Sequence, residues 1–284
     1  RGVSECADVH HMKHSYDAVL SRLLVLFAAG MLCWQFVPPQ APMAKPLLAT
    51  GNQLKLLPEL PVVMYHRISN RTLPNDGGRV LPTLEFEEQL MCLRDEGFTT
   101  LFASDYHKIR KGLMDCPEKP IMLTFDDGYD DNLLEAYPLL RRYGMKGNFY
   151  IITASIGANG HMTESQLLRI DPTVVEIGSH TVNHRNLSNC SHRRLVRELV
   201  DSRLELEFLL GRNIDTFAFP YGGYDAEAVK MTEQAGYQVA FTTDRGRNDW
   251  HDKGLTLKRV TVARGMPLSH FRRAIGLEGS PRAD

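Results

Sequence analysis

From Leu60 onward the chain alternates short apolar runs with longer stretches in which apolar side chains return every three or four positions. Uninterrupted runs suit strands buried on both faces and the longer period suits amphipathic helices, so the alternation predicts βα units around a mostly parallel sheet or barrel. Strands are predicted at 61–65, 120–125, 147–152, 174–177, 216–219, 239–242 and 260–263. Helices are predicted at 84–96, 132–143, 191–210 and 226–235, the first three stopped by Gly97, Gly144 and Gly211. The fold class is therefore α/β, a mostly parallel sheet or barrel. Polar residues just past strand C-terminal ends are where such a barrel carries chemistry.

Residues 23–37 differ, forming an apolar run preceded by Lys13, His14 and Arg22 and followed by Pro38-Pro39-Gln40-Ala41-Pro42. Basic residues before the run and a proline-rich exit argue against a core helix and for a secretion signal or short membrane anchor. The run is shorter than the roughly 20 apolar residues of a spanning helix, which favours a signal peptide. Met12-Lys13 opens an ordinary signal n-region, so translation is expected to start there, and Leu32 before Cys33 counts against lipidation. The expected organisation is an N-terminal extension over 1–37, a linker over 38–58 and one catalytic domain over 59–284. The protein is expected to be secreted or held at the cell surface, with membrane association through the apolar segment.

Composition narrows the partners. With 284 residues and 43% hydrophobic content, one large core can form. Lys and Arg total 33 against 34 for Asp and Glu, a net charge of -1, so nucleic acid is not an expected partner. A monomer is expected. The five cysteines, Cys6, Cys33, Cys92, Cys116 and Cys190, are scattered without a CxxC pair, which argues against a disulfide framework.

Two short motifs stand at predicted strand ends. Thr124-Phe125-Asp126-Asp127-Gly128 supplies adjacent carboxylates whose side chains diverge, so one can bind a metal while the other stays free as a base, and Gly128 relieves the turn. In Ser179-His180-Thr181-Val182-Asn183-His184, the spacing puts both histidines on the same side of one helical turn or turn-like loop. Alone, Asp-Asp-Gly is usually a solvated turn and HxxxH usually a surface or core pair. Together they make a His2Asp set with positions left open for water, as metal-assisted amide hydrolysis requires.

These motifs resemble the first two of the polysaccharide deacetylase family (NodB-homology, carbohydrate esterase 4), over most of residues 60–275. The resemblance implies a distorted (β/α)-barrel of the NodB-homology type. It implies one divalent metal ion held by Asp127, His180 and His184, with Asp126 as general base; zinc is expected first, and cobalt, nickel and iron are alternatives. Ala218-Phe219-Pro220-Tyr221-Gly222 resembles the third motif, in which the Tyr221 N–H holds the oxyanion; Pro220 and Tyr221 match, but the family's arginine is missing. That arginine orients the base, so another cation is expected in its place, and Arg259, beside the strand predicted at 260–263, is the candidate. Asp249-Trp250 loosely echoes the fourth motif. Pro220, Tyr221 and Trp250 are expected to meet substrate.

The departing amine needs an acid of near-neutral pKa. His66, in Val63-Met64-Tyr65-His66-Arg67-Ile68, follows the first strand directly, which resembles the circularly permuted PgaB/IcaB-type deacetylases. His270, in Leu268-Ser269-His270, looks like the late motif of the common arrangement and stays as the alternative. The permuted order, the AFPYG variant and the secretion signal together resemble the N-deacetylases of poly-β-1,6-N-acetyl-D-glucosamine in biofilm matrices. The lack of a second domain looks like the single-domain IcaB type. Tyr65, Phe149, Tyr150, Tyr221, Tyr224 and Trp250 are candidate sugar platforms, of which a minority is expected to reach the glycan. Peptidoglycan, chitin oligomers and acetylated xylan are alternative substrates. A metal-free glycan-binding module is the non-enzymatic alternative, and the presence of all of Asp126, Asp127, His180 and His184 stands against it.

Overall fold

The computed structural model describes residues 57–71, 77–252 and 254–277. The apolar run at 23–37, nearly all of the linker, Cys6 and Cys33 lie outside the described residues. Among the described residues no helix is long and apolar enough to cross a membrane.

The strands are β1 (Val62–Tyr65), β2 (Arg67–Ile68), β3 (Val80–Leu81), β4 (Thr99–Leu101), β5 (Pro120–Phe125), β6 (Gly147–Ile151), β7 (Val175–Ser179), β8 (Thr216–Ala218), β9 (Val239–Arg245) and β10 (Leu257–Thr261). All ladders between them are parallel, and the order β1-β10-β9-β8-β7-β6-β5, closed by pairing of β5 with β1, makes a ring. Of the parallel sheet or barrel that the alternation allows this is the barrel, in the distorted (β/α) form that the family resemblance implies. β4 adds to the beginning of β5, and β2 pairs with β3 in a separate ladder.

The period of two along each strand sorts side chains onto two faces. Val63, Tyr65, Leu123, Phe125, Phe149 and Ile177 join the helices in one core cluster. Val62, Met122, Tyr150, Ala218, Phe241 and Leu257 form a second cluster that fills the barrel. Outside run α1 (Thr83–Asp95), α2 (Ala103–Arg110), α3 (Tyr137–Tyr143), α4 (Glu164–Leu167), α5 (His192–Val196), α6 (Ser202–Leu210), α7 (Ala226–Gln234) and α8 (Leu268–Ala274). Gly144 and Gly211 cap α3 and α6 in the left-handed conformation, as predicted. A π turn at Asn132–Ala136 precedes α3 and another at Arg197–Asp201 joins α5 to α6, where uniform helices were expected.

Two strand differences bear on function. β4 and α2 were not predicted, because Thr99-Thr100-Leu101 is too short and polar to register as a buried run. β10 begins three residues earlier than expected, since Lys258 interrupts the apolar pattern. Lys258 only faces solvent, while Leu257 and Arg259 on either side of it are fully buried.

Trp250 does not meet substrate. It is fully buried, stacks on Tyr106 at 5.1 Å, and donates its Nε1–H to the Pro58 carbonyl at 2.7 Å. Pro58 lies just before β1, so Trp250 closes the N-terminal end of the barrel, opposite the motif-bearing strand ends. Asp249 beside it accepts hydrogen bonds from His251 and Asp252 N–H and only shapes its own turn. Trp250→Ala is expected to cost about 3–5 kcal/mol of stability, read by urea unfolding.

Candidate active site

Asp126 N donates to Tyr65 O at 3.0 Å, which extends the β5–β1 ladder by one residue and turns the Asp126 side chain into the barrel. His180 N likewise donates to Ile151 O at 2.8 Å, extending β7. The chain then turns sharply in both places. Asp127 has φ 75°, Thr181 68°, His184 53° and Tyr221 58°, and only Asn189 adds another non-glycine residue with positive φ among the described ones. Left-handed backbone costs of order 1–3 kcal/mol at a non-glycine residue, so its concentration on one barrel end marks that end as a site held under strain. Gly128, at φ 75°, completes the turn where a Cβ would press on Ile151 Cδ1 at 3.1 Å. The two histidines come together through left-handed residues in a loop, not through a helical turn.

Asp127, His180 and His184 offer donor atoms within 4.8 Å of one another. His180 Nε2 lies 3.5 Å and His184 Nε2 3.3 Å from Asp127 Oδ1. Both distances exceed the roughly 2.7–2.9 Å of a charge-assisted hydrogen bond, and Asp127 Oδ1 is buried without a hydrogen-bond partner. Two ligand atoms at a tetrahedral angle on bonds of about 2.0–2.1 Å stand about 3.3–3.4 Å apart, so the donors fit a divalent cation between them. His180 Nδ1 donates to Ala218 O at 2.7 Å, which leaves Nε2 as the free lone pair.

Arg259 rises from β10 inside the barrel and is fully buried. Its NH1 and NH2 reach Asp126 Oδ1 and Oδ2 at 2.8 and 2.7 Å, while Nε donates to Thr242 O at 2.7 Å and NH1 to Thr124 Oγ1 at 3.2 Å. Burial pushes the Asp126 carboxyl up, but Arg259 and His180 outweigh it and hold the group below the usual carboxylate range. Asp127 is also buried, but the adjacent His180 outweighs burial and holds it well below that range. Burial and the neighbouring His180 push His184 down to about 4. For His180 the charges of Asp126 and Asp127 outweigh burial and raise it.

His66 follows β1 at the same end of the barrel, with Nδ1 buried and unpartnered. Burial lowers its pKa against the opposing attraction of Asp126 and Asp127. His270 is exposed on α8 in the outer helical layer. Tyr221 is 65% exposed, with its ring 4.5 Å from that of His184. The turn bonds run from Gly222 N to Phe219 O and from Gly223 N to Pro220 O, which leaves the Tyr221 N–H unused within the turn. Pro220 is buried, so it shapes that turn and presents no surface to a glycan. Of the aromatic candidates, Tyr65, Phe149, Tyr150 and Trp250 are core; Tyr221 is exposed and Tyr224 half-buried.

Sequence reasoning missed a second layer. Tyr129, directly after Gly128, lies under the Arg67 guanidinium at 4.3 Å and stacks on His161 at 4.8 Å. Arg67 Nε pairs with Asp131 at 2.6 Å, and Asn132 Nδ2 donates to the His66 carbonyl at 2.8 Å. These contacts tie the turn after Asp127 to the segment bearing His66. The only signal was that polar residues continue through Tyr129-Asp130-Asp131-Asn132 beyond the motif.

At the C-terminal end of a parallel barrel the structure thus gathers a His2Asp group that could hold a metal ion and a buried Arg259–Asp126 pair. The polysaccharide deacetylase family model matches residues 114–240. YxkH of Bacillus subtilis, named provisionally as a polysaccharide deacetylase, is 35% identical over 214 residues, 75% of this chain and 75% of its own. A peptidoglycan-N-acetylglucosamine deacetylase of Bacillus cereus is 33% identical over 141 residues, 49% of this chain and 63% of its own. A poly-β-1,6-N-acetyl-D-glucosamine N-deacetylase of Staphylococcus aureus is 28% identical over 177 residues, 56% of this chain and 60% of its own. The chain thus spans about three fifths of the length of these last two relatives. Among solved structures, the Streptococcus pyogenes deacetylase PplD in complex with acetate superposes with a TM-score of 0.71 at 25% identity, over 77% of this chain and 99% of that one. This chain belongs to the polysaccharide deacetylase family.

Proposed function

We propose that the chain is a metal-dependent N-deacetylase that hydrolyses acetamido groups of an extracytoplasmic polysaccharide, with poly-β-1,6-N-acetyl-D-glucosamine as the preferred substrate. The observation that carries the chemistry is the buried, bidentate Arg259–Asp126 pair beside the Asp127, His180 and His184 donors. Asp127, His180 and His184 would hold the ion, which when bound supplies Lewis-acid polarisation of a carbonyl and acidifies water. Asp126, kept ionised by Arg259, takes the proton of the attacking water. The Tyr221 N–H donates to the oxygen of the tetrahedral carbon, which needs only a well-aimed amide. His66 protonates the departing nitrogen as the C–N bond breaks, giving acetate and a free amine on the sugar.

His66→Ala is expected to lower kcat by about 10²–10⁴-fold, and His270→Ala to leave it unchanged. A His66→Ala enzyme at full rate would hand the acid role to another group. For the substrate, similarity to the staphylococcal enzyme and the early position of His66 support the β-1,6 polymer. Similarity to the Bacillus cereus enzyme supports peptidoglycan as the second reading. Acetate release from the β-1,6 polymer, peptidoglycan and chitin oligomers, compared as kcat/KM, separates them. The β-1,6 polymer is expected to lead.

A further inference from the structure

On the loop that carries His184, a separate concavity of about 430 Å³ opens among Arg185, Arg193, Arg194 and Arg197. All four arginines are exposed, and none forms an ion pair or side-chain hydrogen bond with another described residue. Elsewhere the fold does provide partners: Arg67, Arg142, Arg203, Arg247 and Arg272 each meet a carboxylate within 4.0 Å. The one carboxylate in this wall, Glu198, is 3% exposed and already engaged, with Asn183 N at 2.8 Å and Asn183 Nδ2 at 3.0 Å. Ser191 adds a hydroxyl that does not cap the helix it precedes. Four guanidinium groups without a carboxylate partner make this wall locally positive, and their planar forks match oxyanion geometry.

We infer that this basin binds an acidic substituent of the glycan, a carboxylate or phosphate oxyanion on a sugar near the acetamido group at the Asp126–His184 cluster. The glycan part of the inference rests on the deacetylase reading above; the anion part does not. Each acetyl group removed leaves an ammonium, so a purely neutral polymer becomes a cation beside four arginines. An acidic substituent offsets that repulsion and keeps the chain in register as deacetylation proceeds.

The test is calorimetric binding at low salt of two β-1,6-linked poly-N-acetylglucosamine samples of equal length, one carrying carboxylate-bearing esters on a fraction of its sugars and the other unsubstituted, with inorganic phosphate as the free anion. The acidic polymer is expected to bind roughly tenfold tighter, through charge-assisted contacts that high salt screens. Phosphate should compete with it, and Arg193→Gln/Arg194→Gln/Arg197→Gln should lose the preference. Salt dependence and phosphate competition in the unsubstituted protein report on the same basin without any folding concern. Asp127→Ala should release no acetate yet keep the acidic preference, so failure of the deacetylase reading and failure of the basin are read separately. Equal affinity for the two polymers overturns the inference. So does a preference that survives the triple substitution, or phosphate binding that does not affect the acidic polymer.

Discussion

Asp126→Asn is expected to reduce acetate release by about 10²–10⁴-fold or more while metal content is retained, whereas His180→Ala should lose both activity and metal. Asp126 is not among the residues whose donor atoms converge, and both of its oxygens face Arg259. Asparagine keeps the shape of the side chain but cannot accept the proton of water. It also leaves Arg259 without its counter-charge, so metal content and rate should be compared on folded protein, isolated by gel filtration. His180 is different in kind, since the Ala218 carbonyl orients its ring and Nε2 faces Asp127 Oδ1. Its removal leaves two donors, too few for a tight site. Metal analysis beside acetate assay distinguishes the two behaviours, and an active Asp126→Asn enzyme contradicts the assignment of the base.

Arg259→Met should be the most destabilising single change at the site, by about 3–5 kcal/mol near neutral pH, because it strips a buried carboxylate of its partner. Asp126 is held below its unfolded pKa, so the stabilisation from the pair is present above the unfolded value and is lost as pH falls through the lowered folded one. The gap between Arg259→Met and the unsubstituted protein in urea unfolding should therefore narrow as pH drops below about 4. With the charge and hydrogen bonds of Arg259 gone, the Asp126 carboxyl rises in the variant, and the acid limb of its pH–rate profile moves to higher pH. Arg259→Lys keeps the charge without the fork and should lie between the two. An Arg259→Met protein as stable as its parent at neutral pH would show that the pair does not hold the site.

The barrel and the two motifs were legible because strand ends announce themselves locally: a buried run, then Asp-Asp-Gly or Ser-His. Arg259 was legible only as a charge near a strand, since an exposed Lys258 hides the fact that Arg259 is an inward-facing strand residue. Once it is known to point into the barrel, the missing arginine at Ala218 is understandable. Both positions are interior, and the guanidinium from β10 reaches both oxygens of Asp126. Trp250 was misjudged because proximity to Asp249 in sequence says nothing about which end of the barrel a loop visits. The Arg67, Tyr129 and Asn132 contacts link residues some 60 positions apart, and the π turns have no local pattern, so neither was readable. The arginine basin was masked by averaging, since a net charge of -1 conceals a local excess of cations.

The most direct measurement is acetate release from poly-β-1,6-N-acetyl-D-glucosamine by the purified chain before chelation, after chelation and after return of a divalent metal. Release is expected to stop with the chelator, to return with zinc or another divalent ion, and to be absent from Asp127→Ala throughout. Release that persists in thoroughly metal-free protein, or no release from this or any other N-acetylated glycan with metal bound, would contradict metal-dependent deacetylation.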